Sequence, residues 1–312
     1  FNYFMIFNSS KERFFFYSIP IILFSLLPFF LITGPFLSDL SVSLISILFL
    51  TYCIKNKDFS HFKNKYFYFF LIFWGYLLTN SLINNFNLDS FKISFFYFRY
   101  GVFIIAVSIL LNNDHKFIKY FFCCIFICFV GLIIDGFYQY FNGENIFGFK
   151  SGSNHRVSSF FHDELILGSY LSRLWPIFFG LSIIILKQKN KYFYFFVLIF
   201  ILSEVLIFLS GDRSAFFYIN LTAIFVLICS KNLVKLRFII LSSSILLLII
   251  ISFIDPSAKE RVFDKTLSQM NLLKETNVAG KNQENEIYIF SKEHHQIYIS
   301  AYKMFLDNKI LG

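Results

Sequence analysis

The chain has 312 residues, of which 57% are hydrophobic and 15% charged, and Phe alone fills 49 positions. Soluble domains carry about 25% charged residues, so this composition excludes a water-coated globule, and its wealth of aromatics excludes a disordered chain. The formal net charge of +9 admits nucleic acid as a partner until its placement along the chain is considered.

A bilayer core takes about 20 apolar residues per helix, with about 17 as the lower bound. Nine runs approach that length: 14–33, 36–54, 66–83, 91–111, 120–141, 164–186, 192–209, 216–230 and 238–254. Pro20, Pro28 and Pro176 lie inside runs, which a bundle tolerates where neighbours satisfy the freed carbonyls. The first run is too long for a cleavable signal peptide, and a second follows it at once. Cys53, Cys123, Cys124, Cys128 and Cys229 all sit in apolar stretches without a CxxC pairing. They read as small core residues, not as a disulfide or metal framework. Residues 1–254 therefore read as an all-α, polytopic membrane bundle of about nine spans. In the tail 255–312, Phe290, His294, Ile297, Ala301 and Met304 recur at three- and four-residue spacing. That predicts an amphipathic helix near 287–306, able to rest on a bilayer surface or cap the bundle.

The connections between runs carry the charge unevenly. Alternate ones hold fourteen basic residues: Lys11, Arg13, Lys55, Lys57, Lys63, Lys65, Lys116, Lys119, Lys187, Lys189, Lys191, Lys231, Lys235 and Arg237. The other short loops hold only Lys92, Lys150, Arg156 and Arg213. This is a positive-inside pattern, with a cytoplasmic N-terminus and a tail that lies outside from Asp255 onward. The basic charge is a topology signal, and no nucleic-acid partner is implied.

Four ionisable residues fall within the runs: Arg99, Asp135, Arg173 and Glu204. Counted from the outer end of each helix they lie roughly 8–14 Å deep, all in the outer half. Charge at that depth is functional or paired. One reading makes Arg99–Asp135 and Arg173–Glu204 structural ion pairs between helices. The other places all four at a polar cavity opening outward. Nearby outer loops add His155, Arg156, His162, Asp163 and Glu164, and the turn Ser210-Gly-Asp-Arg-Ser-Ala215. Arginine's planar fork suits bidentate binding of phosphate, so an anionic, lipid-linked substrate fits such a cavity. His155 and His162 lie in a loop, where histidine is commonly solvated but can serve as a base near neutral pH. No zinc-ligand spacing, P-loop, nucleophile elbow or Ser/His/Asp arrangement is present, and no metal or cofactor is expected.

The stretch from Arg156-Val-Ser-Ser-Phe-Phe-His-Asp-Glu164 through Leu-Trp-Pro176 resembles the loop-into-helix signature of the bacterial O-antigen ligase/polymerase superfamily. Ser210-Gly-Asp-Arg213-Ser-Ala is similar to that family's short acidic–arginine turn, and Tyr298 to Gly312 resembles the lead into its Gly-rich periplasmic stretch. The resemblance implies a GT-C-like inner-membrane glycosyltransferase, with residues from Asp255 beginning a large periplasmic loop. Its donor would be an undecaprenyl-diphosphate-linked glycan, and its acceptor lipid A-core or a growing glycan. By motif match Arg156 and Arg213 would hold the diphosphate. The catalytic His implied by the family would lie beyond Gly312, followed by two or three further spans. His294 does not match that position, and it joins His162 and Glu164 as a further candidate. An O-antigen or exopolysaccharide polymerase shares the same fold and donor. A glycan transporter is a more distant alternative, since transporters commonly show internal repeats and none is visible here.

Overall fold

A computed structural model describes residues 9–83, 87–113, 117–152, 156–186, 193–229, 234–254, 260–270, 272, 287–288 and 291–309. Among the described residues the chain is helical, and the only β-type pairings are isolated bridges, Glu144 with Lys150 and Gly152 with Arg156. It divides into two compact units after Ile125.

In the first unit, α1 (Ser10–Arg13) starts on Ser9, whose hydroxyl accepts the Glu12 N–H at 3.2 Å. A π-helical turn, Phe14–Ser18, leads into α2 (Ile19–Ser25) and then α3 (Leu27–Thr33). Pro20 has no N–H to continue a regular ladder, which suits the widened turn before it. The expected straight span 14–33 is instead bent by 54° at Leu26. Pro28 offers no N–H to the Phe24 carbonyl and its ring crowds that carbonyl. Helix α4 (Pro35–Asn56) ends on Lys57, which adopts a left-handed φ of 51°. Helices α5 (Lys65–Ile83), α6 (Leu88–Phe96) and α7 (Phe98–Asn113) follow.

The core of this unit forms where α4 meets α7. Val102, Ile105, Ala106, Ile109 and Leu110 are all buried, the i, i+3/i+4 stripe of a helix with one packed face. They meet Ile45, Phe49 and Cys53 of α4. Gly101 lets α5 come close: a Cβ there would lie 2.2 Å from the Phe70 ring.

The second unit is built from the later part of α8 (Phe117–Asn142), α9 (Leu167–Leu186), α10 (Phe193–Leu209), α11 (Arg213–Cys229) and α12 (Val234–Ile254). Helix α9 packs against α10 and α11, and α10 packs against α12. Trp175, Phe178, Phe179 and Phe200 interlock at ring-centroid distances of 4.8–5.3 Å. Short α13 (Lys265–Gln269) and α14 (Lys292–Asp307) complete the described chain. The amphipathic helix expected near 287–306 begins later, at Lys292. Ser291 caps it, its hydroxyl accepting the His294 N–H at 3.3 Å, and the helix is exposed along most of its length.

With α6 and α7 taken together as one 26-residue span, six described helices are long and apolar enough to cross a membrane, and the bent N-terminal pair would make a seventh. Helices α10 and α11 correspond to the expected runs at 192–209 and 216–230 but are 17 residues each. Many large apolar side chains face outward, among them Phe69, Ile72, Ile93 and Phe253, which suits lipid as the solvent. Of the five cysteines, Cys53 and Cys128 are buried, whereas Cys123 and Cys229 are exposed and so are not core residues.

Candidate functional site

Two polar assemblies organise one end of the second unit. The first holds the loop that follows α8. Asp135 and Gln139, four residues apart, lie on one face of α8, and both are fully buried. The Asp135 carboxylate accepts from the Ser159 hydroxyl at 2.6 Å, the Ile146 N–H at 2.9 Å and the Asn145 amide at 3.5 Å. Gln139 Oε1 accepts the Ser158 and Ser159 N–H groups at 2.9 and 2.7 Å. Asn145 Oδ1 accepts from the Phe147 and Phe149 N–H groups. A buried carboxylate is tolerable when hydrogen bonds replace its water, and here they do so with no cation partner among the described residues. Ser159 takes a left-handed φ of 51°, a conformation that costs about 1–3 kcal/mol outside glycine and is held by these bonds.

The second assembly joins that loop to the turn between α10 and α11. Gly211 supplies the positive φ of 65° that the turn requires. Asp212 then caps α11: its Oδ1 accepts the Ala215 N–H at 3.1 Å and the Ser214 hydroxyl at 2.7 Å. Its Oδ2 accepts the Ser169 hydroxyl of α9 at 2.7 Å. Gly168 permits that approach, since a Cβ there would fall 2.4 Å from the Ser210 hydroxyl oxygen. Arg156 Nε donates to the Ser210 carbonyl at 2.8 Å, which fixes the guanidinium. Its two terminal nitrogens have no acceptor among the described residues.

These groups lie close enough to shift one another's protonation. Burial pulls the Arg156 guanidinium below its usual pKa; Asp212 opposes that shift and Arg213 adds to it. Burial alone would raise the Asp212 carboxyl. The Ser169, Ser214 and Ala215 donors and the Arg156 charge outweigh it and bring the carboxyl below the ordinary range. Arg213 donates to Gln269 of α13 and reaches Thr266 at 3.5 Å. Glu293 of α14 is held low by the Ser291 hydroxyl first, with His294 and Arg213 contributing. Arg156 thus lies within electrostatic reach of Asp212 and Arg213, and Glu293 within reach of Arg213, with no contact ion pair joining them among the described residues.

The other charges distribute differently from the expected pairs. Arg99 pairs with Asp39 and reaches Ser43 and the Tyr100 hydroxyl, each at 3.2 Å. It lines a cavity of about 490 Å³ in the first unit. Asp135 therefore has no part in an Arg99 pair. Glu204 pairs with Arg237, not Arg173, and its other oxygen accepts the Ser244 hydroxyl at 2.7 Å. Arg237, counted among the topology-setting cations of the sequence, is fully buried, with its guanidinium 4.4 Å from the Trp175 ring centroid. Arg173 is exposed and has no hydrogen bond or ion pair among the described residues. It sits one turn beyond Ser169 on the same face of α9, and helix geometry tilts its side chain toward the N-terminal end, where Asp212 lies.

Among the histidines, His162 has a left-handed φ of 56°, contacts Asp163 at 2.8 Å and packs on the Phe149 ring. Glu164 is exposed and its N–H bonds the Phe161 carbonyl at 3.0 Å. His294 Nδ1 lies 2.8 Å from the Ser291 hydroxyl. His155 lies outside the described residues. No group of three or more His, Cys, Asp or Glu able to hold a metal occurs among the described residues.

Sequence reasoning missed Asp39, Arg237 and the part taken by Asp212 with Ser169. An acidic residue directly before a helical run is an N-cap signal, which could have identified Asp212. Starting the last run at Val234 would have placed Arg237 inside it. Comparison with known proteins yields no match, whether to family models, curated proteins or solved structures.

Proposed function

We propose that the protein is an O-antigen ligase-type glycosyltransferase of the bacterial inner membrane. It would move a glycan from undecaprenyl diphosphate to lipid A-core at the periplasmic face. The observation that carries this reading is Arg156. Its guanidinium is oriented by the Ser210 carbonyl, its terminal nitrogens are unspent among the described residues, and a second arginine, Arg213, lies within electrostatic reach. Fixed cations of this kind favour an anion whose charge grows during reaction. The motif resemblance of the two segments bearing Arg156 and Arg213 supports the same assignment.

In this chemistry the acceptor hydroxyl oxygen forms a bond to the anomeric carbon as the bond from that carbon to the diphosphate oxygen breaks. The lipid diphosphate leaves with the electron pair, and Arg156 and Arg213 stabilise it. The acceptor proton passes to a general base. Asp212 holds the arginine-bearing turn against α9 through the Ser169 hydroxyl. Arg173, one turn beyond Ser169 on α9 and unpaired among the described residues, is a further cation that an anionic donor could engage.

Arg213→Ala in the intact protein should lower transfer from a polyprenyl-diphosphate glycan to lipid A-core by at least about 100-fold, the scale for losing one fixed stabilising donor. Membrane insertion and expression should be unchanged. Transfer at the normal rate by an inserted Arg213→Ala protein would sink the assignment.

A further inference from the structure

The first unit contains a cavity of about 670 Å³ between the 60–65 turn, α5 and α7. One wall is polar and cationic, formed by Lys63, Asn64 and Lys65 with Asn112. The other is apolar, formed by Phe67, Phe70, Gly101, Ile104 and Ile105. The polar wall lies where α5 begins and α7 ends, which is the headgroup level of a membrane helix pair. From Asn112 to Gly101 the cavity follows α7 for about 16 Å at 1.5 Å per residue.

Neither lysine is held in a contact ion pair among the described residues, and Asp58 feels the Lys63 charge only at longer range. No carboxylate lies within ion-pair distance of Lys63 or Lys65 among the described residues. The neighbouring acid, Asp58, is engaged by the Ser60 N–H at 2.9 Å and by His61 at 3.6 Å. Lys65 instead rests over the Tyr66 ring at 5.1 Å. Gly101 keeps the apolar wall thin by admitting the Phe70 ring against the α7 backbone. A cationic mouth on an apolar channel selects one kind of molecule. A phosphate balances the lysines, and a hydrocarbon chain fills the channel without leaving polar groups stranded.

We propose that this cavity binds one anionic phospholipid. Its phosphate sits between Lys63, Lys65 and Asn64, and one acyl chain runs along Phe70, Gly101 and Ile104. The volume falls in the usual range for a bound small molecule, and basic pockets between membrane helices take anionic headgroups.

The test uses the full chain in nanodiscs of mixed phosphatidylglycerol and phosphatidylcholine, with retained lipid counted by native mass spectrometry. The unaltered chain should keep phosphatidylglycerol in preference to phosphatidylcholine. The pair Lys63→Gln/Lys65→Gln should weaken phosphatidylglycerol binding roughly 30-fold, given the usual contribution of two surface lysines. The pair Lys11→Gln/Lys57→Gln, outside the cavity, should leave it within about twofold. Ser108→Phe, at an exposed position on the cavity wall, should block retention of both lipids. Equal retention of the two lipids, equal losses from both lysine pairs, or full retention by Ser108→Phe would each overturn the proposal. All substituted positions are exposed, so circular dichroism should report an unchanged helical fold.

Discussion

Arg237 and Glu204 show how a single charge in this chain depends on a partner far along it. The arginine is fully buried, Glu204 is 5% exposed, and Ser244 and Trp175 complete their surroundings. Removing one partner of such a pair leaves an uncompensated buried charge, whereas removing both can be close to neutral. Arg237→Met should therefore destabilise the second unit by about 3–5 kcal/mol. The double variant with Glu204→Met should recover most of that loss in denaturant unfolding from detergent micelles. A neutral Arg237→Met would show that the pair contributes nothing. The sequence announced Glu204 as a membrane-depth charge, but not its partner, 33 positions away. Arg99 and Asp39 are likewise 60 apart. Hydropathy runs locate a charge along one helix, while the helix packing that chooses its partner is set by side-chain fit between helices.

Helices were legible because the apolar runs are long, and their interruptions followed proline chemistry at Pro20 and Pro28. The connections were not legible in the same way. The 142–163 segment reads as a polar loop, yet Asp135, Gln139 and Asn145 fix Ile146, Phe147, Phe149, Ser158 and Ser159 through hydrogen bonds that no periodicity records. The same holds for the turn after α10, where Asp212 gathers α9, α11 and Arg156. The folded Asp212 carboxyl titrates below the ordinary carboxylate value of about 3.9. Its contribution is therefore complete above about pH 4 and fades as the pH falls through the lower folded value. Hydrogen exchange at the first turn of α11 should accelerate in that acid window. Asp212→Asn should exchange faster at neutral pH and lose the acid-dependent step. An identical acid-dependent step in Asp212→Asn would assign the change to another carboxylate.

Over the whole molecule, a lipid-compatible surface was readable from composition, and the helical class from the lengths of the apolar runs. The number of spans was less so, because α10 and α11 are short and the N-terminal run is broken. The loop charges make a further prediction about orientation. In a background with the five native cysteines replaced by Ala, Glu164→Cys should react with an impermeant maleimide in intact cells. Lys57→Cys should react only after permeabilisation. Labelling of both from one side would reject the positive-inside reading. The Asp135 network also bears on the order in which the protein is made. Its hydrogen bonds from Ile146, Asn145 and Ser159 span only 10–24 positions, and contacts this local form early. Once α8 and the next two dozen residues have left the ribosome, every partner of Asp135 is present. The Asp135 contacts can therefore set before α9 is inserted, while Arg156 is fixed only later, when the turn after α10 brings the Ser210 carbonyl to it.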